Sequence, residues 1–188
     1  MSARRLLFVA AFDTDLGWLA LVGAAARVQQ VTFPRKSRKA AIAEIDLPAS
    51  ANARECDWNP ALVRRLQEFA AGAPDDFRDV ELDLDDLTPL QRRIIKACRA
   101  IGYGQSASYG EVAAAAGNAR AARAVGNTMA ANRFALLVPC HRVVHRGGDV
   151  GRLSGPARLR LALRRLESQD LAVGDRHPPR RRRATTPR

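Results

Sequence analysis

The chain of 188 residues has few of the residue types that build disulfide, metal or membrane structures. Its three cysteines, Cys56, Cys98 and Cys140, are too few and too scattered for a disulfide framework or a four-ligand zinc site. Aromatic residues make up only 5% of the chain, so aliphatic side chains and alanines must form most of the core. No hydrophobic run is long enough to span a membrane. These absences favour a globular protein that works in a reducing cytoplasm and away from membranes.

Acidic residues are scarce in one part of the chain. Residues 87–167 contain 14 Lys and Arg but only 3 Asp and Glu, a net charge of +11, whereas residues 1–86 carry −3 and residues 168–188 carry +4. A basic segment of this size predicts a polyanionic partner such as DNA. A solvated basic surface would give the same count, so the charge alone leaves both interpretations open.

The first 86 residues predict a small α/β unit. Apolar runs bounded by turn residues predict three strands, and two further segments predict helices, the second opened by Pro60. The predicted elements are strands at 5–12, 17–23 and 28–33 and helices at 40–45 and 60–70, with an irregular stretch at 47–56. Residues 75–86 are acidic and predict a half-exposed strand or a linker. Nothing in this unit indicates catalysis, and we expect it to support the second unit.

Two capping boxes mark the start of helices in the second unit. Thr88 with Gln91 predicts a helix from residue 89 to about 100, and Ser108 with Glu111 predicts a helix over 109–116. A further helix is predicted at 121–131, after a turn that contains Gly117. Two short helices joined by such a turn form a helix-turn-helix, which in DNA-binding proteins places its second helix in a groove. Cys98 lies on the apolar face of the first helix and is predicted to be a core residue.

The second helix of this motif lacks the long polar side chains that read base edges. Its residues are mostly small, and Arg123 is the one large charged side chain near its start. Small residues such as Ala121 and Ala122 allow close approach to the sugar-phosphate backbone, so we predict sequence-tolerant binding with Arg123 inserted as a wedge. Tight helix packing would also explain the alanines, and an exposed ion pair would also explain Arg123.

A thiol and an imidazole lie side by side in the segment Val138–Val143. Only the thiolate of Cys140 would be a good nucleophile, and His141 can take its proton directly or through one water. Arg142 adds positive charge, which favours the thiolate. A buried structural cysteine in an apolar strand is the alternative. Pro139 argues against a plain core strand because proline cannot donate to a ladder.

Together these motifs resemble the O6-alkylguanine-DNA alkyltransferases, the methylated-DNA–protein-cysteine methyltransferases. The resemblance extends over about residues 87–167, with the family's spacing kept throughout. It is carried by Ser108–Glu111, Ala121–Asn127, Asn132 and Pro139–Val143. The expected fold is α/β (α+β): a small N-terminal α/β domain with a short antiparallel sheet, then a mostly helical C-terminal domain with the helix-turn-helix. We place these domains at 1–86 and 87–172 and predict that residues 173–188 form a disordered basic tail.

The resemblance implies a role for each matching residue. The damaged guanine is rotated out of the duplex, Arg123 takes its place, and Tyr109 crowds the 3′ phosphate and hydrogen-bonds the base. Cys140 attacks the alkyl carbon, and His141 accepts the thiol proton through a water. Glu167 orients the imidazolium, although a solvated helix position would also explain it, and Asn132 binds backbone or the water. Carbonyls of Cys140 and Val143 accept from the base's exocyclic amine, and the remaining pocket contacts are assigned to Met129, Pro139, Leu153 and Ser154.

The product would be a thioether that no group here can hydrolyse, so the protein is expected to react once, with no cofactor and no metal. The expected partner is double-stranded DNA containing O6-alkylguanine, with O4-alkylthymine left open, and the expected acting unit is a monomer. Residues 151–156 depart from the family's Gly-x-Tyr-x-Gly-Gly loop. Leu153 lacks the hydroxyl and Pro156 lacks an N–H, whereas the N–H of Ser154 could still face O6. Substrate fit and rate are therefore left open.

Three other functions are compatible with parts of the pattern. A non-catalytic alkyltransferase-like lesion sensor would share the fold but lack Cys140. A helix-turn-helix regulator would need base-reading side chains on its second helix. A cysteine hydrolase would need an oxyanion hole, of which the sequence gives no sign.

Overall fold

The structure is a computed structural model that describes residues 6–47, 51–145 and 157–174. It confirms the expected α/β class, with a small sheet followed by a mainly helical region. The predictions for Leu153, Ser154, Pro156 and the basic tail beyond residue 174 lie outside the described residues. No helix in the described part of the chain is both long and apolar enough to cross a membrane.

The N-terminal sheet has four strands in the order β3-β2-β1-β4. The three predicted strands are present and antiparallel: β1 is Leu6–Phe12, β2 is Leu19–Ala24 and β3 is Arg27–Val31. The fourth, β4 at Asn52–Glu55, pairs in parallel with β1 where the sequence predicted irregular chain. That prediction was wrong because all four side chains are exposed, so their polarity carries no alternation. Backbone pairing with β1 makes the strand.

The predicted helices are all present, with ends that differ from the expectation by one or two residues at most sites. They are α1 at Arg38–Ala43, α2 at Pro60–Ala70, α3 at Pro89–Arg99, α4 at Tyr109–Ala115, α5 at Ala122–Ala130 and α6 at Ala157–Gly174. The sequence predicts the last of these helices at about 157–168, and α6 runs six residues beyond that end. Both capping boxes form, with Gln91 and Glu111 returning to the backbone of their caps. Local hydrogen-bonding chemistry therefore sets where α3 and α4 begin.

The acidic segment at 75–86 contains turns and irregular chain, and its pairing is limited to one isolated bridge. Leu82 makes one parallel bridge to Val28 of β3, through the bonds from Val28 N–H to the Glu81 carbonyl and from Asp83 N–H to the Val28 carbonyl. Further along the same free edge, β3 meets the segment that leads to the cysteine motif, where Val31 bridges Phe134. One apolar cluster contains residues from both sides of position 86, so the two predicted units share a core. The division at residue 86 itself stays a prediction.

Candidate active site

The cysteine motif is a tight turn rather than a plain strand. Pro139 precedes a single 3₁₀ turn at Cys140–Arg142, closed by bonds from the Arg142 N–H to the Pro139 carbonyl and from the Val143 N–H to the Cys140 carbonyl. The short strand β6, Val143–Val144, follows. Cys140 is only 3% exposed, at the edge of the apolar cluster. The proline and the turn fix the direction of the thiol, which agrees with the argument against an ordinary core strand.

The strand β6 joins the cysteine motif to the helix-turn-helix. It pairs in parallel with β5, Ala107–Ser108, which immediately precedes α4. The ring of Tyr109, the first residue of α4, lies 4.8 Å from the ring of His145 between centroids. The chain just after Cys140 therefore lies beside the first helix of the helix-turn-helix.

The helices α4 and α5 form the predicted helix-turn-helix and both pack on α3. The turn between them contains Gly117 in the left-handed region, with φ of +81°, which glycine adopts without a steric cost. Arg123 in the first turn of α5 is exposed, Ala122 is half-buried, and the Ala121 side chain packs in the core. No side chain caps the start of α5, so its first N–H groups have no side-chain acceptor there. The DNA contacts of these residues remain predictions.

Asn132 ties the end of α5 to the cysteine motif. Its Nδ2 donates to the Val138 carbonyl at 3.1 Å, and its Oδ1 accepts from the Phe134 N–H at 3.0 Å. The side chain is buried, and both of its partners are backbone groups. Asn132 therefore holds the backbone just before Pro139 and Cys140, which is one of the two roles predicted for it.

A buried hydrogen-bonded pair begins at His141, the residue that follows Cys140 in the chain. The Nε2 of His141 is 2.7 Å from the Oε1 of Glu167, which α6 supplies, and both side chains are almost fully buried. Arg142 donates to the same carboxylate from Nε at 3.1 Å and 3.2 Å and from Nη2 at 3.0 Å. The backbone N–H of Gly104 donates to the other oxygen, Oε2, at 3.1 Å. Glu167 is thus a buried acceptor, and its interpretation as a solvated surface residue is wrong.

These contacts fix the protonation of the pair. Burial lowers the pKa of His141 below its ordinary value by more than the hydrogen bond to Glu167 raises it. Burial alone would raise the pKa of Glu167, but the bonds and charges of His141 and Arg142 outweigh this and lower it. Because an ionised Glu167 can only accept, the proton of the neutral imidazole must lie on Nε2. The Nδ1 atom of His141 is then free to take a proton.

Two residues at this site were not identified as partners from the sequence. Arg142 was expected to favour the thiolate by its charge, but its guanidinium is buried and directed at Glu167 and Asp76. Asp76 comes from the acidic segment, 66 positions earlier in the chain. A buried arginine needs a carboxylate partner, so Arg142 itself indicates that an acidic residue lies beside it. No pattern in the sequence selects Asp76 among the several acidic residues of its segment.

Three of the remaining predicted pocket residues are buried in the described part of the chain. Met129 and Val143 are fully buried in the apolar cluster, and Pro139 is buried beside Cys140. The proposed partners Leu153 and Ser154 fall outside the described residues, so the base-binding role of this group stays a prediction. Within the described ranges, no group of three His, Cys, Asp or Glu side chains could hold a metal ion.

Comparisons with known proteins identify the family. The family model described as "6-O-methylguanine DNA methyltransferase, DNA binding domain" matches residues 89–169. The methylated-DNA–protein-cysteine methyltransferase of Methanosarcina acetivorans is 34% identical over 151 residues, 80% of this chain and 90% of that protein. The DNA base-flipping protein of Thermus thermophilus is 39% identical over 102 residues, 54% of this chain and 68% of that protein.

The fold agrees with solved structures of the same group. The crystal structure of Mycobacterium tuberculosis OGT in complex with DNA has a TM-score of 0.71 and 30% sequence identity, and it covers 89% of this chain and 99% of that one. The similarity thus includes the N-terminal sheet as well as the helix-turn-helix. The chain belongs to the methylated-DNA–protein-cysteine methyltransferase family.

Proposed function

We propose that this protein repairs DNA by direct reversal, rotating O6-alkylguanine out of the duplex and transferring the alkyl group irreversibly to Cys140. The observation that carries the proposal is that Cys140 lies in one short buried turn with His141, which is paired with Glu167, and that the strand after this turn pairs with the strand that begins the helix-turn-helix. The family relationship supports alkyl transfer, and a solved relative bound to DNA supports a DNA partner. The proposed acting unit is a monomer.

The chemistry is a displacement at the alkyl carbon. The thiol of Cys140 gives its proton to Nδ1 of His141, through one water, and the sulfur attacks the carbon bound to O6. The C–S bond forms as the C–O bond breaks, the electron pair stays on guanine, and guanine takes up the proton that the thiol gave to His141, so the imidazole returns to its neutral form. Glu167 stabilises the imidazolium while it exists. A thioether on saturated carbon offers no easy reverse step, so each molecule would react once.

The rival functions fit fewer observations. A lesion sensor of this fold would have no use for a thiol placed beside a buried His–Glu pair. A transcription regulator would present base-reading side chains on α5, where Arg123 is the only long side chain near its start. Because Cys56, Cys98 and Cys140 are all free thiols, we also propose a reducing, cytoplasmic location.

The proposal is tested with a duplex that carries O6-methylguanine with an isotopically labelled methyl group. After incubation the protein is digested and its peptides are weighed. We expect one methyl group on the peptide containing Cys140, and at most one per protein molecule however much DNA is supplied. Label that stays wholly on the DNA would favour the sensor or the regulator. More than one methyl group removed per protein molecule would contradict single turnover.

The Arg123→Ala variant tests base rotation. Filling the vacated position in the duplex should offset the cost of flipping, which is a few kcal/mol for a paired base and much less in a single strand. We expect the transfer rate on a duplex to fall about tenfold, and the rate on the matching single strand to stay within about twofold. Single-turnover rates on the two substrates measure this.

The matched control is Arg120→Ala, which removes the same charge from an exposed position in the turn before α5. It should weaken binding slightly on both substrates without favouring either, since a phosphate contact carries no information about strandedness. An equal loss of rate on duplex and single strand in Arg123→Ala would assign Arg123 to general phosphate binding.

A further inference from the structure

The buried Arg142 connects the His141–Glu167 pair to the acidic segment at 75–86. Its Nε and Nη2 face Glu167, whereas its Nη1 donates to the Asp76 carboxylate at 2.6 Å and to the Ile101 carbonyl at 2.7 Å. Asp76 in turn lies 3.3 Å from the exposed Arg78. Charges of alternating sign therefore run from the surface to the imidazole.

We propose that Asp76 is a positioning residue for alkyl transfer, which holds the Nη1 end of Arg142 so that Glu167 remains available to His141. This inference rests on the function proposed above. It assigns a role in the reaction to the acidic segment at 75–86, which the sequence predicts only to be a linker or a half-exposed strand.

The geometry of the guanidinium supports this assignment. The group is planar and rigid, so a partner at each end fixes both its position and its rotation. The ring of Tyr103 lies beside it, with the guanidinium carbon 5.7 Å from the ring centre. With Asp76 in place, the positive charge of Arg142 is shared between two carboxylates, and neither has to neutralise it alone.

Loss of the Asp76 charge would change the balance at Glu167. Among the described contacts, Arg142 would then keep one carboxylate, Glu167, together with the Ile101 carbonyl. The Oε1 atom of Glu167 already accepts from both His141 and Arg142. A stronger hydrogen bond from Arg142 to Glu167 would weaken the hydrogen bond from His141 to Glu167, which stabilises His141 when it becomes an imidazolium. Thiolate formation would slow, although Cys140 itself and the binding of DNA would be unchanged.

Titratable and charged groups from several elements surround the cluster of His141, Arg142 and Glu167. They are Asp76 and Arg78 of the acidic segment, Cys98 of α3, Tyr103 of the following loop, Cys140 and Arg142 of the turn, and Arg164 and Glu167 of α6. Only Asp76 and Glu167 in this set are carboxylates. Removing the Asp76 charge should therefore lower the pKa of His141 further.

The test compares Asp76→Asn with Asp79→Asn in the full-length protein. Asp79 belongs to the same segment and loses the same charge, but its carboxylate binds Arg65, away from the site. We expect Asp76→Asn to lower the single-turnover transfer rate about tenfold near neutral pH, and to move the limb of the rate profile that reports His141 to lower pH. Asp79→Asn should change neither, and both variants should bind DNA as the wild type does.

Two further variants separate a role at the site from a loss of folding. Asp76→Glu restores the charge on a partly exposed side chain that has room to adjust, and it should recover most of the rate. In a Glu167→Gln background, Asp76→Asn should cause less than about a twofold additional loss, because Asp76 acts chiefly through Glu167. A full tenfold loss in that background, or a pH profile that does not move, would overturn the inference.

The wild type tests the proposed function, and the Asp76→Asn variant tests the role of Asp76. If the wild type transfers no methyl group, the proposed function fails. If the wild type transfers it and Asp76→Asn matches the wild type in rate and pH profile, only the role of Asp76 fails.

Discussion

Replacing Cys140 with alanine is expected to abolish alkyl transfer completely and to leave the binding of O6-methylguanine DNA within about twofold of the wild type. The reaction needs a sulfur nucleophile beside the proton acceptor His141, and no neighbouring side chain can replace the Cys140 thiol. Binding should survive because the helix-turn-helix and its basic side chains are untouched. The intact mass of the protein after incubation measures transfer, and a gel-shift titration measures binding.

The other two cysteines provide matched controls for this variant. Cys98 is fully buried on the apolar face of α3, and burial raises the pKa of its thiol far above the usual range. Cys56 is half-buried after β4 and has no imidazole recorded beside it among the described contacts. Both Cys98→Ala and Cys56→Ala should still take up one methyl group per molecule. Loss of transfer in Cys98→Ala, in protein shown to be folded, would contradict the assignment of Cys140 as the sole acceptor.

The parts of the fold that could be predicted from the sequence are those set by short-range chemistry. The capping residues Thr88 and Ser108 are hydrogen-bonded within their own first turns, so a few adjacent letters are enough to place α3 and α4. The strand β4 could not be predicted, because its four exposed side chains carry no alternation and only its pairing with β1 makes it a strand.

The residues of the site also divide into those that the sequence could predict and those that it could not. Cys140 and His141 are adjacent in the chain, and the family spacing identifies Glu167 as their partner, so these three could be assigned from the sequence. Asp76 could not, since its contact with Arg142 spans 66 positions and depends on how the acidic segment packs against α3 and the turn. Long-range ion pairs of this kind leave no local pattern, and the structure is needed to find them.

The Glu167→Gln variant is expected to lower the transfer rate about a hundredfold, the second largest effect after loss of the thiol. Glutamine keeps the shape of the side chain but removes the charge that stabilises an imidazolium, and general-base assistance typically contributes about 10² to 10⁴ in rate. It also offers an amide donor where His141 and Arg142 both need an acceptor. Single-turnover rates at saturating DNA isolate this effect from binding.

The same variant should be less stable at neutral pH. Removing one partner of a buried ion pair costs about 3–5 kcal/mol, and Asp76 still offsets part of the Arg142 charge, so about 3 kcal/mol is expected in the free energy of unfolding. The matched control is Glu68→Gln on the exposed surface of α2, where the carboxylate lies 3.7 Å from Arg64 and little change is expected. Urea denaturation at pH 7 gives both values.

The pH dependence of unfolding distinguishes loss of the Glu167 charge from a general packing defect. The pKa of Glu167 is lower in the folded protein than its ordinary value of about 4.5, so its stabilisation is complete above that value and is lost as the pH falls through the lowered one. His141, with its pKa also lowered, destabilises the fold as the pH falls below about 6.5, because the unfolded chain takes up that proton first.

Between pH 6.5 and 5, wild type and Glu167→Gln should therefore both lose stability. Below about pH 4.5 only the wild type should lose the Glu167 contribution, so the difference between the two proteins should narrow. A difference that stays constant down to pH 3 would show that the glutamine acts through packing and that the carboxylate charge does not stabilise the fold.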